Sequence, residues 1–189
     1  MIEHKLLNSG ENESVDIMIY RNILVSCLYS NEKEILAEFI QKYSDKVITK
    51  DPEAIEIYSN SILYFINADF KKCLECCSKL NFGNIFDIAR ESFWFKNDIK
   101  SLELKCFYEL GLFENIITSG DSYNHFLSNT KLMNDLFREK NINFNKYLKE
   151  LVLLKIDNDC DGIRDLGTKV SSLDNISNKT WLLNKVEAA

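Results

Sequence analysis

A chain of 189 residues, 46% hydrophobic and 28% charged, has the apolar content of a globular protein and not of a disordered one. With 6 glycines and 1 proline it is poor in turn formers, which argues against sheets joined by hairpins. A net charge of -6, with no cluster of Lys and Arg, argues against nucleic acid as a partner.

The opening residues "MIEHKLLNSGENESVD" carry no long apolar segment, and no apolar run approaches the roughly 20 residues of a membrane helix. The expectation is a cytoplasmic chain whose six cysteines are thiols, and a single all-α helical-repeat domain over 1–189. The first predicted helix pair lies near 15–45 and contains "IYRN" at Ile19–Asn22. Asp51-Pro52 reads as an N-cap with proline at the first helical position, opening a helix over 53–67. "NADF" then reverses the chain into a second helix over 69–81. Its stripe of Cys73, Cys76, Cys77 and Leu80 has the i, i+3, i+4, i+7 spacing of one helical face.

These two pairs repeat. "IYRN" matches "IYSN" at Ile57–Asn60, and the 38-residue offset carries Leu36 onto Leu74 and Phe39 onto Cys77. "LYFINADFKKCL" aligns with "CFYELGLFENII" at an offset of 43, which sets Ala68 on Gly111 and Phe70 on Phe113. Three hairpins are thus expected near 15–45, 53–81 and 98–127, a period that signals stacked helical repeats. Between the last two, 84–95 reads either as a separate helix or as an extension of the next one.

A long helix over 130–157 follows, with the stripe Met133, Leu136, Phe137, Phe144, Tyr147, Leu148, Leu151 and Leu154. At roughly 40 Å it could lie along several stacked hairpins. A short helix with Leu166, Val170 and Leu173 comes next. The last, with Trp181, Leu182 and Val186 and with Ser177 or Asn178 as its cap, completes a capping segment that reaches 188.

"YFINADFKKCLECCSKL" and "FYELGLFENII" resemble tetratricopeptide (TPR) repeats. Tyr64 and Phe107 match the aromatic late in the family's first helix. Cys73 stands at the small position of the second, with Ile35 and Ile116 at its counterparts, and Glu32 stands where the first unit lacks the turn aromatic. Ser61 and Leu104 replace a glycine or alanine common in the family. The likeness covers about 15–127, and the whole chain is similar to uncharacterised TPR-like proteins of Bacteroidetes. It implies a right-handed superhelix of antiparallel hairpins with C-terminal capping helices, a non-enzymatic scaffold that binds a protein or peptide. It also places Tyr20, Tyr58, Lys105 and Tyr108 as candidates facing the partner.

"DNDCDGIRD", Asp157 to Asp165, is the sharpest short motif. Asp157, Asp159, Asp161 and Asp165, with Gly162 at the sixth place, have the spelling of a calcium loop. Thr168 stands where an EF-hand has its bidentate glutamate, and Arg164 where it has an apolar residue. Aspartates are also favoured at helix starts, so Asp159 or Asp161 as an N-cap accounts for the same letters and is the preferred reading. A calcium- or small-ligand-binding regulator is the alternative function.

"CLECC" supplies three clustered thiols without the second pair that a zinc site needs. Cys27, Cys106, His4 and His125 would have to converge on it, so no metal is expected. Neither histidine has a nucleophile at a recognisable spacing, and no phosphate loop, GxSxG or HExxH occurs. No cofactor and no enzymatic activity are expected.

Overall fold

The computed structural model of the chain describes residues 14–80 and 89–189. The described residues are all-α, with no sheet, and hold α1 (Ile17–Ser30), α2 (Lys33–Tyr43), α3 (Pro52–Ile66), α4 (Phe70–Lys79), α5 (Ala89–Glu109), α6 (Phe113–Asn129), α7 (Asp135–Ile156), α8 (Cys160–Ser171) and α9 (Lys179–Glu187). A short 3-10 turn, Ser44–Lys46, follows α2, and one isolated parallel bridge joins Val15 to Val47. The chain forms two compact units, the first running to Leu110 and the second spanning Gly111–Ala189.

The helices begin where side chains satisfy their free N–H groups. Asp16 accepts from the amides of Met18 and Ile19 at 2.9 and 3.0 Å, and Asp51 accepts from Ala54 at 3.0 Å with Pro52 behind it. Asp69 and Asn134 do the same for α4 and α7. At α9 one of the two expected residues, Asn178, holds the N-cap position but does not cap with its side chain. Its backbone is left-handed, while the Ser177 hydroxyl donates instead to Lys140 O and Asn141 Oδ1.

Three of the reversals share one device. Asn31, Ala68 and Asn158 each adopt a left-handed backbone, at φ 57°, 60° and 54°. The next residue then donates its amide five places back: Glu32 to Cys27 O, Asp69 to Tyr64 O and Asp159 to Leu154 O, at 3.0, 2.9 and 2.9 Å. This closure satisfies the last carbonyls of the first helix. Gly111 stands in the same conformation at φ 69°. Alanine fits that region poorly, so Ala68→Gly is expected to gain about 0.5–1 kcal/mol in urea unfolding, and Gly111→Ala, whose added carbon would meet nothing within 4 Å, to lose a similar amount.

The turns correct the first repeat alignment by one residue. Asn31 and Ala68 are 37 apart, so the counterpart of buried Cys73 is Leu36 (0% exposed), not Ile35 (54%). Leu36 therefore matches Cys73 and not Leu74, and Ile40, not Phe39, matches Cys77. The tyrosines at 20 and 58 keep their 38-residue offset, because α1 and α3 differ by one residue between tyrosine and turn. The segment 84–95 is resolved in part: from Ala89 it is continuous with α5, and 84–88 lies outside the described residues.

In the first unit α1 packs on α2 and α3, and α3 and α4 pack on α5. Tyr20, Leu24, Leu36, Tyr58, Cys73 and Phe95 belong to its core. In the second unit α7 packs on α6, α8 and α9, and α8 packs on α9. The helix expected over 130–157 starts later, at Asp135, and pairs with α8 through the same turn that joins α3 to α4. It is the first arm of a hairpin. Phe144, Tyr147, Leu148 and Leu151 of its predicted stripe are buried, whereas Leu136, in the first turn, is 58% exposed. Gly120 lets α6 approach α7 closely: a Cβ there would lie 2.6 Å from Asn145 Oδ1, and Asn145 Nδ2 donates to Gly120 O at 2.7 Å.

Candidate functional site

A polar constellation is buried in the first unit. It joins α1, α3 and α5. Arg21 projects from α1 where α3 carries Ser59, and a guanidinium at that depth requires a carboxylate. Asp98 of α5 supplies it through two bonds, from Arg21 Nε and from Arg21 NH2, both at 2.6 Å. Tyr58 of α3 donates its hydroxyl to the same carboxylate at 2.7 Å. Arg21 NH1 donates to Asn22 Oδ1, and the Trp94 ring lies over the guanidinium at 5.4 Å.

Burial presses Arg21 towards its neutral form. The charge and hydrogen bonds of Asp98 outweigh it, and its pKa ends above the ordinary value. Burial first, and then the Asp98 charge, hold the Tyr58 phenol well above the usual range. Tyr58 is therefore a proton donor to Asp98 across the physiological range. The bidentate geometry fixes guanidinium and carboxylate against each other, an arrangement suited to locking three helices in register.

Of the four partner-facing candidates, Tyr58 belongs to this cluster and Tyr20 adjoins it, while Lys105 and Tyr108 stand further along α5; all are buried, with Tyr20 and Tyr58 0% exposed, Lys105 5% and Tyr108 8%. Tyr20 Oη and Ser59 Oγ are 2.9 Å apart, and the Tyr58 ring packs on Phe95 at 4.5 Å between centroids. The Lys105 ammonium lies 4.7 Å from the centre of the Phe65 ring, and burial pushes its pKa down to about 8. Burial also pushes the Tyr108 phenol up to about 12. Arg21, Asp98 and Trp94 were not singled out from the sequence. Their only signal was an arginine in "IYRN" at a place where the matching "IYSN" has a small polar residue.

Cys73, Cys77 and Cys106 meet where α4 packs on α5. The neighbouring thiols of Cys106 and Cys77, with burial, raise the pKa of Cys73, so it stays protonated. None of the six cysteines is in a disulfide. No group of three or more His, Cys, Asp or Glu among the described residues is placed to hold a metal ion. His125 bonds Asn129 on its own helix at 2.8 Å, and His4 lies outside the described residues.

The segment "DNDCDGIRD" is the α7–α8 turn. Asp157 ends α7, Asn158 takes the left-handed conformation, and Asp159 caps α8 by accepting from Gly162 N at 2.9 Å. Asp161 pairs with Arg164 at 3.0 Å on the surface, and Asp165 is exposed. Asp159→Ala is expected to cost about 1 kcal/mol by loss of the cap, to the same extent with calcium or with chelator in thermal unfolding. A calcium-dependent gain in the parent chain that vanishes in the variant would show instead that these aspartates hold the ion.

No helix among the described residues is long and apolar enough to cross a membrane. No family model, curated protein or solved structure matches the chain.

Proposed function

We propose that this chain is a non-enzymatic scaffold of TPR-like type, a cytoplasmic superhelix of stacked hairpins that binds a protein or peptide. The observation that carries this reading is the recurrence of one hairpin turn. Asn67, Ala68 and Asp69 donate four, three and five residues back, to Leu63, Phe65 and Tyr64. Asp157, Asn158 and Asp159 repeat that pattern onto Leu153, Lys155 and Leu154, 90 residues later. In each case the final aspartate then caps the second helix. Chains built by repeating such a unit bury one flank of each hairpin on the next and leave extended surfaces for partners.

The buried polar groups favour a scaffold as well. Asp98, Arg21 and Tyr58 are engaged with one another, and a partner reaching Tyr20 or Tyr58 would first have to part α1 from α3. Partner contact is therefore better sought on exposed residues of the same hairpins. The acidic balance favours a neutral or basic partner. Affinity capture from the native cell with the tagged chain, against a helical control of equal charge, tests the reading. One or a few proteins enriched reproducibly over the control is the expected result; none enriched would remove its support.

A further inference from the structure

We draw no further inference here: the strongest candidate, the cluster of buried thiols Cys73, Cys77 and Cys106 where α4 packs on α5, carries nothing, because among the described residues no such group is placed to hold a metal ion and nothing in the structure shows what else would reach sulfurs shut off from solvent.

Discussion

Asp98→Ala is expected to lower the unfolding free energy by about 3–5 kcal/mol, the usual cost of leaving a buried charge without its partner. Among the described residues Asp98 joins Arg21 to Tyr58, and the two charged side chains are 10% and 15% exposed. Without the carboxylate, the guanidinium keeps only Asn22 and the Trp94 ring among the contacts described, and the Tyr58 hydroxyl loses its acceptor. Coulomb attraction need not make the intact cluster a net gain over apolar packing, because both ions are desolvated. The variant carrying Arg21→Met, Tyr58→Phe and Asp98→Leu together is accordingly expected to recover most of the loss. Urea denaturation of parent, single and triple variants measures both effects; equal losses in the single and triple variants would show that the cluster contributes net stability beyond mutual compensation.

Lys105→Met is expected to stabilise the chain, and its effect should depend on pH in a defined direction. Burial pushes the Lys105 ammonium from 10.5 down to about 8, although the Phe65 ring beneath it favours the charged form. Desolvation is the larger effect. A lowered folded-state value means that the unfolded chain binds more protons between about pH 8 and 10.5, so this group makes stability rise with pH across that window. Below pH 8 the ammonium is charged in both states and the penalty is complete, about 3 kcal/mol from the displacement of the pKa. Part of that gain is lost with the ring contact, leaving about 1–3 kcal/mol for the methionine variant near pH 7. The difference between variant and parent should shrink towards pH 10.5. A difference that stays flat from pH 7 to 10.5 would contradict the buried-ammonium account.

Much of the helix pattern was legible because the signals are local. Asp51-Pro52 predicted a cap and a start, and both are where α3 begins. The spacing of Cys73, Cys76, Cys77 and Leu80 predicted one apolar helical face; Cys73 and Cys77 are buried, and Cys76 and Leu80 are half-buried. "NADF" marked a reversal, and α3 and α4 pack on one another across it; in "GLF", Gly111 takes the same left-handed backbone as Ala68. Asn31 and Asn158 take the same backbone conformation, but asparagine is also an ordinary surface residue and did not announce it.

The one-residue error between α2 and α4 has a local cause. The tyrosine match at 20 and 58 sets an offset that α1 and α3 do not share with their turns, and only the left-handed residues fix the second arms. The Arg21–Asp98 pair joins residues 77 apart, and nothing local links them. "DNDCDGIRD" was ambiguous by its letters, since a cap and a cation loop both want carboxylates; the bond from Gly162 to Asp159 shows the capping geometry. Leu136 sits on the predicted stripe but in the first turn of α7, where helical spacing does not ensure a neighbour to cover it.

Hydrogen exchange resolved by helix, on the parent chain and on Asp98→Ala, tests the packing account most directly. If Asp98 ties α1, α3 and α5 into one stack, amides around Tyr20, Tyr58 and Asp98 should open together with the highest free energy of the first unit. The substitution should lower all three by the same amount. Slow exchange in α5 with α1 left unchanged by the substitution would contradict it, and with it the side-by-side stacking from which the proposed role is argued.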